Sequence, residues 1–348
     1  MELAPSIPEP LDPTCQPVLD GSDELVFGYT DMALLHHYTI STSMVMSRCR
    51  SLQKFYQVTI VQLGLANPFL MRTILSMAAL HLAQTRTEAS EKQAYFSAAA
   101  RHHDRALSMY QEALQHIGPN SWSAVLMSST MLFIFVYTYA MGDPSDVKMS
   151  EDDAVGVFLS FRWVRVARGI RLLRRQGQQH LPSGPLWPVL GPTISKWPVC
   201  LDPITKRNIY DDDPPCPDED SLQRLEEMWQ DDEDVGSDRA ALYSETLKSL
   251  IRAYRRTHAR RISSRGRHND DGNEEFMQSM GWLAELSEEY ITLLESHDPI
   301  ALVLMSHYGK IIDSVSFSFW WTHRNSQLCK ARIQRILPIQ WHRWLTLG

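Results

Sequence analysis

Carboxylates crowd one stretch of this chain. Between residues 211 and 238 there are thirteen Asp or Glu and one Arg. Paired aspartates in a helical protein can hold magnesium against a diphosphate. The spacing does not suit it: Asp231-Asp232 is followed at the fifth position by Val235, and Asp211–Asp213 by Pro214-Pro215. A solvated acidic loop over 205–240 is the better reading. His36-His37 and His102-His103 could ligate a metal, yet adjacent residues on a helix point ~100° apart and cannot easily share one ion. His103 falls on an apolar helical face, which predicts a hydrogen-bonded core histidine. His307, set between Met305 and Tyr308 among apolar residues, is the one candidate catalytic group. A core position is the default for such a residue, and the alternative is the isolated polar handle of a ligand pocket. No phosphate loop, H-E-x-x-H or G-x-S-x-G is present, and no metal or cofactor is expected.

The opposite charge is also concentrated. "RAYRRTHARRISSRGRH" holds seven arginines between 252 and 267 with no acid among them. It reads equally as a nuclear address and as an Arg-rich connector over 252–274. A net charge of −7 argues against a general attraction to nucleic acid. Five scattered cysteines, with no C-x-x-C, suit a reducing interior. The acid- and proline-bearing residues 1–28 lack the pattern of a secretory signal and read as a disordered tail.

The elements that must position these groups are helical. "NPFLMRTILSMAALHLA" opens with Asn67 as an N-cap and Pro68 at the first helical position. Phe96, Ala99, His103, Ala106, Tyr110, Leu114 and Ile117 follow steps of three and four, and Gly118-Pro119 ends that run. From Ile117 to Gly142 there is no charged residue. That stretch is long enough to cross a bilayer, but six Ser and Thr would lie at membrane depth, and the nearest cations, Arg105 and Lys148, are too distant to anchor it. A central helix buried in protein is expected instead, capped by Asn120 or Ser121. "FLSFRWVRVARGIRLLRR" predicts one amphipathic helix whose arginines at 162, 165, 168, 171 and 174 spread over a solvated face. Asp298 and Pro299 start the last apolar helix. With no alternating strands and no repeat, the fold expected over 29–348 is all-α, a single large helical domain.

Several phrases in order carry a resemblance. They are "LLHHYTISTS", "NPFLMRTILSMAALHLA", "GIRLLRR" leading to "GPLWPVLGP", "ALVLMSHYGKIID" followed by "FWW", and the terminal "WHRWLTLG". Together they resemble the regulatory domain of fungal binuclear-zinc-cluster transcription factors, in the branch of the sterol uptake control regulators. The resemblance implies an all-α, often dimeric domain with an internal apolar cavity, which holds a sterol in the sterol-sensing members. Without a secretory pattern or an expected membrane span, nuclear or cytoplasmic residence and no membrane are expected. Those regulators carry a six-cysteine zinc cluster ahead of the domain; here only Cys15 precedes it, so no direct sequence-specific DNA contact is expected. A cluster encoded upstream of Met1 is the alternative.

Two functions follow from this. The first is a stand-alone regulator that binds a small hydrophobic metabolite and pairs as a homodimer, or as a heterodimer with a full-length zinc-cluster factor. A secondary-metabolite pathway is the natural setting. The second is a cofactor-free enzyme that uses the cavity for a cyclisation or cycloaddition, such as a hetero-Diels–Alder step. From apolar-helix membership and aromatic density, the expected ligand contacts are Phe133, Tyr137, Met305, His307, Tyr308, Phe319, Trp320 and Trp321.

Overall fold

Pro68 opens the helix that organises the amino-terminal half. The computed structural model describes residues 27–47, 49–141, 150–177, 180, 184–187, 215–230, 235–263, 280–315, 320–322 and 325–346, and those residues are all-α, without a strand. The principal helices are α1 (Tyr29–His37), α2 (Ile60–Ala66), α3 (Pro68–Thr85), α4 (Ala89–Gln115), α5 (Trp122–Met141), α6 (Glu151–Leu159), α7 (Arg162–Gln176), α8 (Ser237–Ser263), α9 (Glu288–Glu295), α10 (Pro299–Val315) and α11 (Asn325–Ile336).

Pro68 occupies the first turn of α3 as expected. Asn67 does not cap it by its side chain; Nδ2 donates instead to the Leu63 carbonyl at 2.8 Å, closing the end of α2. Ser121 likewise does not cap α5, because its hydroxyl accepts the Gly118 N–H at 3.1 Å. Asp298 does cap α10: Oδ1 accepts the Ala301 N–H at 2.9 Å.

The charge-free helix α5 is the one described helix long and apolar enough to span a bilayer, and it is mostly buried inside protein. It packs on α2, α3, α4, α6, α7 and α11, the surroundings that a helix apolar on every side demands. Its hydroxyls are largely satisfied within the helix: Ser129, Thr130 and Thr138 each donate to the carbonyl four residues earlier, at 2.7, 3.0 and 2.7 Å. Arg332 of α11, itself buried, donates to the Ala140 carbonyl at 2.5 Å and so ties the carboxyl-terminal helices to the end of α5.

Three expected segments look different in three dimensions. The amphipathic run 158–174 is two helices, because Phe161 takes a left-handed conformation (φ 48°) between α6 and α7. Its ring is fully buried against Phe158 and Trp163, and burial of an aromatic ring offsets the strain of about 1 kcal/mol or more. The acidic loop expected over 205–240 holds short helical turns at Glu219–Gln223, Arg224–Glu226 and Glu227–Gln230. Leu222, Leu225, Met228 and Trp229 recur at helical spacing between the acids and enter the core. The Arg-rich connector expected over 252–274 begins as helix: residues 252–263 complete α8. Tyr243, Leu247, Leu250 and Tyr254 carry its buried face onward through the arginines. There Arg255 pairs with Glu219, its Nε donating to Oε2 at 2.9 Å. Residues 205–214, 231–234 and 264–274, and all but the last two of the tail 1–28, lie outside the described residues.

Candidate ligand site

Phe133 and Tyr137, four residues apart on α5, share one face, and their rings stand 5.6 Å apart. Met305 and Tyr308, three apart on α10, share another. The turn Trp320–Thr322 packs on both α5 and α10, and α11 also touches both. Met305, Tyr137, Tyr308 and Trp321 are all buried. Tyr137 meets the Trp163 indole edge-on at 5.7 Å, and Tyr308 stacks on Trp282 at 4.8 Å. Burial, then the Tyr137 phenol and the Cys329 thiol beside it, raise the Tyr308 hydroxyl well above its usual range. Burial also pushes Cys329 up to about 12. Tyr308 therefore stays protonated and donates, at present to the Met280 sulfur at 3.8 Å. A thioether is a weak acceptor.

His307 faces elsewhere. Its Nε2–H donates to the Trp344 carbonyl at 2.8 Å, and its own carbonyl accepts the Tyr254 hydroxyl at 2.6 Å. Burial holds the imidazole down at about 4, hence neutral. The structure thus gives His307 an anchoring position against the terminal segment Ile339–Thr346, one helical step round from Tyr308. Phe319 lies outside the described residues.

Two polar clusters have no counterpart among the sequence-predicted contacts. His37 Nε2 lies 3.2 Å from His81 Nδ1, and Thr42 Oγ1 lies 3.1 Å from the same nitrogen. His81 Nδ1 carries either one lone pair or one hydrogen, so the two partners share a single site. Burial, then His37, lowers His81 to about 4, and its ring lies 5.1 Å from that of half-buried Trp320. The Trp320 Nε1 has no partner among the described residues. The second cluster joins Asp31 to buried Arg72 at 3.3 Å and to His102 Nε2 at 3.2 Å. Partners so far apart in sequence leave no local signal. His103 is buried as predicted but stacks on Phe135 at 4.0 Å, with Nδ1 unpartnered among the described residues, rather than serving as a hydrogen-bonded core histidine through that atom. Among the described residues no group of three or more His, Cys, Asp or Glu is placed to hold a metal ion.

The described residues define an all-α protein whose apolar interior is bridged by tyrosine, tryptophan and methionine side chains. Residues 33–150 match the family model described as the fungal specific transcription factor domain. That segment runs from within α1 to the residue before α6, so the similarity to fungal transcription factors covers the part of the chain that contains α3, α4 and α5. No curated protein matches the chain.

Proposed function

We infer that this chain is a ligand-responsive regulatory domain of the fungal transcription-factor type. The observation that carries the regulatory class is the match over residues 33–150. The ligand is a small hydrophobic metabolite held where α5, α10 and the Trp320–Thr322 turn converge. Phe133, Tyr137, Met305 and Trp321 supply apolar walls, and the protonated Tyr308 hydroxyl supplies a donor for a carbonyl or hydroxyl oxygen. An oxygen acceptor is a better partner for that donor than the Met280 sulfur it now faces. The protein acts in the nucleus in a secondary-metabolite pathway, paired with a second copy or with a full-length zinc-cluster factor.

The test is deletion of the gene in its source organism, with neighbouring transcripts and metabolites read from the same cultures. Transcripts that fall together are the expected result. Steady transcripts with one accumulating intermediate would overturn this reading in favour of a cofactor-free cyclase or cycloaddition enzyme. The same buried Tyr308 hydroxyl supports that second reading, since such reactions need a hydrogen bond to a carbonyl and orientation, and orientation alone contributes roughly 7–11 kcal/mol.

A further inference from the structure

The first two helical segments pack as an antiparallel hairpin in register. Gln53 Nε2 donates to the Met44 carbonyl at 2.9 Å, and Gln57 Nε2 to the Thr39 carbonyl at 2.9 Å. Each segment contains a π-helical turn, Tyr38–Thr42 in one and Phe55–Thr59 in the other. The two glutamine bonds place those turns side by side. π-Helical turns in proteins concentrate at functional sites, because each re-aims the side chains that follow it. Here Tyr38, Phe55 and Tyr56 enter the core while Ile40 and Val58 remain outside.

The outer face of this hairpin is apolar. Leu65 is 70 % exposed, Met32 64 % and Ile40 56 %, with Met44 and Val58 also exposed. Met32, Ile40 and Met44 belong to the first helical segment of the hairpin, and Val58 and Leu65 to the second. Single exposed apolar side chains are ordinary, but a group of this kind marks a contact surface.

Charge identifies what the surface takes. Arg50 and Lys54 are exposed one helical turn apart on the same segment as Val58 and Leu65, with no acidic partner among the described residues. His36 is exposed beside Ile40 on the other segment. The one acid between residues 29 and 66, Asp31, is turned inward to Arg72 and His102. Among the described residues 29–66, the exposed charged side chains are therefore the cations Arg50 and Lys54, on a protein of net charge −7.

We propose that this hairpin face is a docking site for an acidic amphipathic helix of another protein, with the partner's apolar stripe on Met32, Ile40, Val58 and Leu65 and its carboxylates on Arg50 and Lys54. Helix-in-groove recognition uses an apolar stripe at helical spacing for affinity, and complementary charge for register and association rate. The proposal is independent of whether the interior holds a ligand.

The test is fluorescence anisotropy with a labelled helical peptide carrying Leu and Phe on one face and Glu on the other, against the same peptide with Lys in place of Glu. The acidic peptide binds, and added salt weakens it. Ile40→Asp and Leu65→Asp each lower its affinity by about tenfold or more, the loss typical of a central contact. Arg50→Gln with Lys54→Gln weakens binding and removes most of its salt dependence. Leu172→Asp, at an exposed leucine of α7, leaves it unchanged. Ile40→Ser and thermal melts of every variant separate lost contact from lost fold. Equal binding of both peptides, binding of neither, or wild-type affinity in Ile40→Asp and Leu65→Asp overturns the proposal. So does sedimentation showing a dimer that Ile40→Asp converts to monomer, since a second copy then covers the face.

Discussion

The indole of Trp122 fills the space that a side chain at Gly177 would need. A Cβ built on Gly177 would lie 1.4 Å from the indole Nε1, which donates to the Leu173 carbonyl at 3.3 Å. The first residue of α5 is thereby locked against the carboxyl end of α7. Gly177→Ala must displace the indole, break that hydrogen bond or shift the end of α7. Overpacking of this kind costs about 1–3 kcal/mol, and the expected result is a lower urea midpoint with an unchanged slope. An unaltered midpoint would show that the helix end moves freely.

Arg72 is fully buried and its ion pair with Asp31 joins α3 to α1, while Phe27 covers the guanidinium at 4.2 Å. Asp31→Asn removes one carboxylate from that buried cation and should lower stability, by at most about 3–5 kcal/mol. Replacing both partners, Asp31→Asn with Arg72→Met, should recover much of the loss. A double-mutant cycle by chemical denaturation measures the coupling, and strictly additive effects would contradict a working pair.

Acid should destabilise the fold through its buried histidines. Burial lowers His81, His103 and His307 to about 4, from 6.5. Between those values the unfolded chain binds more protons than the folded one. Stability is therefore complete above about pH 6.5 and falls as pH drops toward 4. His307 alone accounts for about 3 kcal/mol over that window. His307→Gln, which retains an N–H for the Trp344 carbonyl, should flatten the profile. Equal urea midpoints for the wild-type protein at about pH 5 and pH 7 would rule this out.

Thiol chemistry offers a simple test of packing. Cys49, Cys216 and Cys329 are buried, and burial raises both Cys216 and Cys329. Little thiolate forms at neutral pH, and the thiolate is the nucleophile. In the native protein these three should resist iodoacetamide and become labelled together on unfolding, as read by peptide mass spectrometry. Rapid native labelling of Cys329 would place it outside the packed interior.

Tyr308→Phe addresses the inferred ligand site. It removes one hydroxyl whose present acceptor is a sulfur, so stability should change by less than about 1 kcal/mol. Extracting purified wild-type protein with organic solvent should release a small apolar oxygen-bearing compound, identified by mass spectrometry. The variant should retain less of it. Equal retention would remove Tyr308 from the site.

The sequence pattern was most informative where one helix answers to its own spacing. The starts of α3 and α10, the end of α4 before Gly118-Pro119, and the burial of α5 were all legible in residue types and period. In the acidic segment, charge hides Leu222, Leu225, Met228 and Trp229, whose spacing is that of a buried helical face. Arg255 and Arg256 concealed the continuing apolar stripe of α8 in the same way. Of the expected ligand contacts, the pattern identified buried aromatic residues, but not that His307 turns away from Tyr308 toward Trp344.

By itself, then, the sequence determined the helical class, the identity of the buried helices and the store of aromatic and methionine side chains. Those properties are periodic along one helix and need no knowledge of its neighbours. Only the tertiary structure decided that His37 meets His81, that Asp31 meets Arg72, and that two π-helical turns lie side by side beneath an exposed apolar face. Such pairings depend on how far each helix is rotated and slid against the next, and that docking is set by close packing of the whole interior.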